Sequence, residues 1–140
     1  MEVKIKKLLP EAVIPQYAHL TDAGLDLTAI SKVEESNGIV TYGTGLAFEI
    51  PKGYVGLLFP RSSNSKKDLM LTNSVGVLDS GYIGEVTLKF KKTIENGVTY
   101  DVGDRIGQLI IMPFPKIEFQ EVEQLSETKR GTGGFGSTGK

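Results

Sequence analysis

Cysteine is absent from this 140-residue sequence, and histidine occurs once, as His19. The lack of cysteine excludes disulfides, thiol nucleophiles and cysteine-based zinc sites. A single histidine argues against a Ser-His-Asp triad, and its polar surroundings are typical of a surface residue. Any metal would then be a hard cation held by oxygen atoms, such as Mg²⁺.

Long apolar runs and a charge excess are missing as well. No apolar run approaches the roughly 20 residues of a membrane span, and the N-terminus lacks the apolar segment of a signal peptide. The formal net charge is only −1, whereas sequence-independent nucleic-acid binding needs a clear basic excess. We therefore expect a soluble cytoplasmic protein that binds neither nucleic acid nor membrane.

Helical periodicity is the third absence. Short alternating or apolar runs are instead separated by turn signals such as Asn37-Gly38 and Glu95-Asn96-Gly97. This pattern predicts an all-β sandwich or barrel, with one domain over residues 1–125 and a flexible arm over residues 126–140. The predicted strands lie within residues 2–9, 21–30, 39–50, 54–59, 69–78, 84–93, 98–114 and 117–123.

Residues 73–86 are predicted to form a hairpin that turns at Ser80-Gly81, because glycine adopts φ > 0 without steric cost. Asp79 and Tyr82 would flank the turn, and Asn73 would lie on the same face because strand side chains alternate. An amide, a carboxylate and a phenol suit a small polar ligand, and the carboxylate could act as general base. An ordinary hairpin with a solvated aspartate fits the stretch equally well.

Two further stretches carry groups that suit phosphate. Residues 60–67 form a basic, donor-rich loop, although a plain surface loop has the same composition. Residues 131–140 hold five glycines and a single aromatic residue, Phe135. This segment is either a disordered tail or an arm that orders on a ligand, because closely spaced glycines let backbone N–H groups surround phosphate. Such an arm would add charge, hydroxyls and a stacking ring from Arg130, Ser137, Thr138 and Phe135.

Five short motifs follow one another along the chain. Each is weak alone, because short motifs match by chance, but together they are specific. They are Asp22-Ala-Gly-Leu-Asp-Leu, Pro60-Arg-Ser-Ser, Gly76-Val-Leu-Asp-Ser-Gly-Tyr, Gly103-Asp-Arg-Ile-Gly-Gln-Leu and Arg130-Gly-Thr-Gly-Gly-Phe-Gly-Ser-Thr-Gly. In their content and order they resemble the trimeric deoxyuridine triphosphatases, the dUTPase family, over residues 22–139.

The resemblance implies a jelly-roll-like β-barrel and a homotrimer in which residues of all three chains meet at each shared active site. It implies Mg²⁺-dependent hydrolysis of dUTP to dUMP and pyrophosphate, with water attacking the α-phosphorus in line. Asp79 would be the general base and Tyr82 would pack on the deoxyribose. Asn73 and the backbone at Gly76 would read uracil. Asp26 would hold the Mg²⁺ shell through water, the ion being held mainly by the substrate phosphates.

The resemblance also implies two sets of phosphate contacts. The first set lies in the body of the domain and comprises Arg61, Ser62, Ser63 and Gln108. The second set belongs to the arm that closes over the nucleotide and comprises Arg130, Phe135, Gly136, Ser137 and Thr138.

The chain departs from the family pattern at a few positions. Ser63, Asn64 and Ser65 stand where the family usually has Gly-Leu-Ala. Ile83 follows the motif tyrosine where many members have arginine, and Gly107 replaces a usual alanine. None of these changes removes a proposed catalytic group.

Two alternative functions stay open at this point. A dCTP deaminase shares the fold and would release ammonia, but the glycine-rich arm with Phe135 favours the phosphatase. A non-catalytic or regulatory trimeric β scaffold would also keep the fold. The presence of Asp79, Tyr82 and Arg130 together argues against that scaffold.

Overall fold

Ten β-strands and one short 3₁₀ turn make up the computed structural model, which describes residues 1–73 and 75–135. The strands are β1 Lys4–Lys7, β2 Leu25–Thr28, β3 Ser31–Glu34, β4 Ile39–Gly43, β5 Leu46–Glu49, β6 Tyr54–Phe59, β7 Leu69–Leu71, β8 Gly76–Leu78, β9 Thr87–Lys92 and β10 Arg105–Pro113. The 3₁₀ turn, Ser62–Lys66, follows β6. No helix in the described ranges is long and apolar enough to cross a membrane.

The strands pair antiparallel in three sheets. Two sheets have four strands, in the orders β2-β10-β6-β8 and β3-β4-β9-β7, and the third pairs β1 with β5. Antiparallel sheets without helical cover bury one face each against the other. The predicted jelly-roll-like all-β fold is therefore confirmed, although the sheets of the described residues do not close into a barrel.

Alternation along the strands fills a single apolar core. Val40 and Tyr42 of β4 are fully buried, as is Phe90 of β9, and the polar residues between them face outward. The Tyr42 ring packs edge-on against Phe90, with centroids 5.8 Å apart, and against Tyr100 at 6.0 Å. The Tyr42 hydroxyl also donates to the Tyr100 carbonyl at 3.0 Å and accepts from the Tyr100 N–H at 3.1 Å. Core packing thus fixes Tyr100, which in turn contacts the loop after β6.

The predicted run 39–50 is two strands rather than one. Gly45 has φ of +64°, a left-handed conformation that breaks the extended chain between β4 and β5. The neighbouring Thr44 is buried, and its hydroxyl donates to the Val86 carbonyl at 2.7 Å. A short strand after β2, Ser31–Glu34, was not predicted at all, because only its Val33 is apolar and that side chain is exposed.

The predicted central hairpin is wrong. Residues 69–78 contain two strands, and β8 pairs with β6 whereas β9 pairs with β4 and β7. A turn does connect them, because the Tyr82 N–H donates to the Asp79 carbonyl at 3.0 Å, but Gly81 does not have positive φ. After the turn, Val86 bonds to Thr44 of the loop between β4 and β5 and to Leu46 at the start of β5, and not to β8, before the chain enters the other sheet.

The predicted strand at 117–123 is also wrong for the single chain. No strand is assigned after Pro113 within the described residues, and the alternating apolar side chains Ile117 and Phe119 are exposed. Alternation predicts a strand only when a neighbouring strand offers its free edge. Phe119 is 96% exposed, so this segment has no core contact that would fix it on its own chain.

Candidate active site

Strand register and the loop after β6 bring four of the predicted site residues together, namely Asp26, Arg61, Ser62 and Gln108. β10 lies between β2 and β6, so that Gln108 is opposite both Asp26 and Phe59. Phe59 leads directly through Pro60 into Arg61 and the 3₁₀ turn. The resulting cavity of about 560 Å³ is lined by Ala18, His19, Asp22, Ala23, Gly24, Asp26, Arg61, Ser62, Arg105, Gln108 and Ile110. We call it the cationic pocket after its two arginines, which stand with two aspartates in the lining.

The charges of this pocket centre on Asp26, which is partly buried between two arginines. The Arg61 Nε lies 2.7 Å from Asp26 Oδ1, and the Arg105 Nη1 lies 3.0 Å from Oδ2. At Asp26 two guanidinium groups meet one carboxylate, and the second carboxylate of the lining, that of Asp22, accepts from the His19 N–H. Each guanidinium has five N–H donors, of which few are used here. Such a pocket suits a polyphosphate, for which arginine forks are the usual ligand.

Gln108 is positioned by a hydrogen bond and by the absence of a side chain at Gly24. Its Nε2 donates to the Pro60 carbonyl at 3.1 Å, and this bond links the loop after β6 to β10. Its Oε1 lies only 2.2 Å from where a Cβ on Gly24 would be, so the first motif needs glycine at this position for Gln108 to enter the pocket. The amide nitrogen of this polar side chain in an apolar strand therefore has a partner, as a partly buried polar group requires.

The unusual residues of the second motif are accommodated by a hydrogen-bonded support. The Asn64 Nδ2 donates to the Leu69 carbonyl at 2.9 Å, and its Oδ1 accepts from the Tyr100 hydroxyl at 3.1 Å. Burial raises the pKa of Tyr100, which keeps that hydroxyl a donor. The Ser65 hydroxyl donates to the Ser62 carbonyl at 2.8 Å and closes the turn. Asn64 therefore fixes the loop through polar contacts where the family usually has leucine.

Ser63 faces a smaller cavity on the other side of Arg61. Its hydroxyl is 3.2 Å from Arg61 Nη1, which donates to it. This cavity, of about 220 Å³, is also lined by Lys67, Tyr100, Asp104 and Arg105. Ser63 thus orients Arg61 from the side of the smaller cavity and does not line the cationic pocket.

A second, narrower pocket contains the predicted base- and sugar-reading residues. It has a volume of about 140 Å³ and is lined by Leu58, Asn73, Gly76, Val77, Leu78, Tyr82, Glu85, Val86 and Thr87. A Cβ on Gly76 would lie 3.0 Å from the Leu58 Cβ and 3.1 Å from the Asn73 Nδ2, so a side chain there would crowd the pocket. We call this cavity the slot. Asn73, Gly76 and Tyr82 are therefore brought together even though the hairpin is not formed.

Asp79 lies at the turn beside the slot, exposed to solvent, and is not among the described residues that line it. The slot and the cationic pocket also share no described lining residue. One chain therefore does not bring the predicted general base to the predicted phosphate ligands.

The arm residues lie away from both pockets in the described part of the chain. Phe135 is fully exposed, and Arg130 Nε donates to the Gly133 carbonyl at 2.9 Å. The other arm residues that were predicted, Gly136, Ser137 and Thr138, lie outside the described residues.

Three polar lining residues of the cationic pocket were not predicted as site residues. Arg105 belongs to the fourth motif, and a charged side chain at the start of a buried strand is a signal that could have identified it. Asp22 begins the first motif, and its Oδ2 accepts from the His19 N–H at 2.9 Å. His19 carries no sequence signal beyond its proximity to that motif, because its place in the pocket depends on this turn.

The residues present fit a water-mediated Mg²⁺ contact and no direct ligand set. Both Asp26 oxygens accept from an arginine, but a carboxylate has about four lone-pair sites, which leaves two for water. Among the described residues, no three acidic or histidine side chains cluster as metal ligands would. An ion would thus depend on the substrate for its inner ligands.

Comparison with known proteins gives one consistent result. The family model described as dUTPase matches residues 10–139. The deoxyuridine 5'-triphosphate nucleotidohydrolase of Nautilia profundicola is 43% identical over 142 residues, covering all of both chains. A mutant of the Staphylococcus bacteriophage 80alpha dUTPase, solved with dUpNHpp, superposes with a TM-score of 0.87 at 30% identity, covering 99% of this chain and 98% of that one.

A second solved structure bears on the metal. It is a mutant dUTPase from phage phi11 of S. aureus, described as revealing the coordination of a structural Mg(II) ion. It superposes with a TM-score of 0.75 at 28% identity, covering 89% of this chain and 98% of that one.

Proposed function

The chain belongs to the dUTPase family and hydrolyses dUTP, and we propose that it releases dUMP and pyrophosphate by in-line attack of water on the α-phosphorus. The observation that carries this proposal is the pair of cavities on one chain. A cationic pocket with two arginines suits a triphosphate, and a narrow slot beside Gly76 suits a pyrimidine.

Phosphate binding is the task we assign to the cationic pocket. Arg61 offsets charge on the bridging and terminal oxygens, while Ser62 and Gln108 add neutral donors. Ser63 contributes through its backbone and by orienting Arg61. Fixed donors of this kind align the α-phosphorus for attack and stabilise charge that builds up in the transition state.

Mg²⁺, when bound, would supply charge neutralisation and alignment of the phosphates. Asp26 would hold its water shell, which its two free lone-pair sites permit. Arg61 and Arg105 hold the Asp26 carboxylate in its orientation, because each donates to one of its oxygens.

Base and sugar recognition is the task of the slot. Asn73 and the backbone at Gly76 would pair with the uracil edge, and Tyr82 would pack on the deoxyribose and leave no room for a 2′-hydroxyl. Cytosine would present donors and acceptors in the wrong order, which leaves buried polar groups unpaired. Asp79, at the rim of the slot, would take the proton from the attacking water.

A homotrimer with shared sites explains why the two pockets are separate on one chain. The cationic pocket of one subunit would face the slot of a second, and the arm, residues 126–140, would come from a third. Apolar side chains after the last strand support such an assembly, because Phe119 and Leu125 are 96% and 86% exposed. Residues 1–125 would form the subunit body.

We expect light scattering to report about three times the 15.2 kDa of one chain. Activity should fall on dilution together with the trimer fraction, because a single chain lacks a complete site. Heterotrimers offer a sharper test: mixing subunits that carry Asp79→Asn with subunits that carry Arg61→Ala should restore some active sites. A monomer with full activity would contradict the shared site.

The function itself is tested by offering each deoxynucleoside triphosphate and UTP with Mg²⁺. We expect kcat/KM for dUTP to exceed that for dTTP by at least about 10- to 200-fold, the range that one methyl-sized group controls. Pyrophosphate rather than inorganic phosphate should accompany dUMP. Ammonia released from dCTP would instead identify a deaminase, and no turnover of any nucleotide would identify a binding scaffold.

A further inference from the structure

Gly84 lies two residues after Tyr82, and the Tyr82 ring folds back over it. A Cβ atom on Gly84 would lie 2.7 Å from the Tyr82 Oη, 2.8 Å from its Cζ and 3.0 Å from its Cε2. Real Cβ atoms do not approach other atoms so closely. The space that a side chain at position 84 would need is therefore already filled by the tyrosine ring.

Hydrogen bonds to and around Glu85 fix the position of the Tyr82 ring on one side, and its other side faces solvent. The Tyr82 hydroxyl donates to the Glu85 carbonyl at 2.8 Å. Glu85 is itself fixed, because its Oε1 accepts from the Gly45 N–H at 2.8 Å, and the next N–H, of Val86, donates to the Leu46 carbonyl at 2.8 Å. The other face of the ring is open, since Tyr82 is 47% exposed. A displaced ring would swing outward into solvent and not into the core.

We propose that Gly84 is a positioning residue for sugar selectivity: the absence of a side chain at position 84 lets the Tyr82 ring lie where it excludes a 2′-hydroxyl. The inference rests on the proposed function, in which Tyr82 packs on the deoxyribose. Tyr82 and Glu85 line the slot together with Asn73 and Gly76. Gly84 touches no substrate and acts only through the ring.

The first experiment compares Gly84→Ala with Gly81→Ala. Gly81 is a matched control in the same turn, because a Cβ there would meet nothing within 4 Å. For each variant, kcat/KM is measured for dUTP and UTP, together with the melting temperature. We expect the dUTP-over-UTP ratio of Gly84→Ala to fall about 10- to 100-fold, as for a misplaced positioning group, with the melting temperature unchanged. Gly81→Ala should change neither quantity.

A double-mutant cycle tests whether Gly84 acts through Tyr82. Tyr82→Ala removes the ring, so adding Gly84→Ala to it should not lower the ratio further. Effects that multiply would overturn the inference. If Gly84→Ala alone does not fold, the double variant should fold, since the clash is gone, and its failure to do so would equally overturn it.

The cycle also separates this inference from the proposed function. A fall in the ratio for Tyr82→Ala with no fall for Gly84→Ala means that the tyrosine reads the sugar without needing Gly84, so only the inference is wrong. An unchanged ratio in Tyr82→Ala means that the tyrosine does not read the sugar. That result rejects its proposed role and the inference together.

Discussion

Asp79→Asn should lower dUTP turnover by about 10² to 10⁴-fold while leaving nucleotide binding nearly intact, because it removes a positioned general base. The substitution keeps the size and hydrogen-bonding shape of the side chain but lowers its basicity. Asp79 is exposed at the rim of the slot and forms no ion pair with a described residue, so its loss should not destabilise the fold. The measurement is single-turnover hydrolysis together with the Kd of a non-hydrolysable dUTP analogue.

A matched control for this substitution is Asp101→Asn. Asp101 is also an exposed aspartate beside a turn, with its side chain 88% exposed, and it lines neither the slot nor the cationic pocket. It should keep normal turnover. A near-normal kcat in Asp79→Asn would reject the base assignment.

An imidazole is the other side chain that could serve as general base, and His19→Gln tests whether His19 takes that role instead of Asp79. His19 is the only imidazole in the chain, and it lines the cationic pocket. Under the proposed mechanism this variant should change the KM for dUTP more than kcat, since the imidazole lies beside the phosphate ligands. A collapse of kcat in His19→Gln, with Asp79→Asn still active, would move the general base to the histidine.

Part of the lining of the cationic pocket could be predicted from the sequence, whereas the contacts between its charged side chains could not. Asp26, Arg61 and Gln108 stand in three separate motifs, and the resemblance of those motifs to the dUTPase family indicated a site. That Arg105 would share Asp26 with Arg61 depends on the register between β10 and β2, which has a bulge between Arg105 and Gly107. Sequence patterns do not specify such a bulge.

The turn after β8 shows why the hairpin prediction was wrong: the local sequence pattern indicates a turn, but hydrogen bonds to distant residues determine which strands pair. Glycine-containing turns between β-rich runs usually make hairpins. Here the backbone of Val86 forms hydrogen bonds with Thr44 and Leu46 instead of with β8, so the chain continues in the other sheet. The slot residues still converge, because the pairing of Gly76 with Leu58 and the folding back of Tyr82 are independent of a hairpin.

A chain that ends at Lys129 should fold and assemble like the full-length protein but lose most of its catalytic rate. Core contacts are not expected to suffer, because Arg130 and Phe135 are exposed and the nearest strand ends at Pro113. The fifteen residues from 126 to 140 can span about 50 Å when extended, enough to reach a site on another subunit. Closing over the nucleotide would exclude water and align the phosphates, and this contribution is lost with the arm.

Phe135→Ala is a milder change than the truncation, because it removes only the aromatic ring of the arm. Stacking of an aromatic ring on a base is worth about 1–3 kcal/mol, so this variant should lose part of the rate that the truncation loses, and mainly through weaker nucleotide binding. Arg130→Ala removes the guanidinium of the arm and leaves the ring in place. Comparing the two shows whether the arm acts by stacking or by phosphate neutralisation.

Two measurements on the truncated chain decide what the arm does: its melting temperature and its dUTP turnover. An unchanged melting temperature with a large fall in turnover is the expected pair, because it assigns the arm to catalysis alone. Unchanged turnover would show that residues 130–140 are a dispensable tail. A lowered melting temperature would make the segment structural, and the fall in turnover would then follow from a weakened trimer and not from an open site.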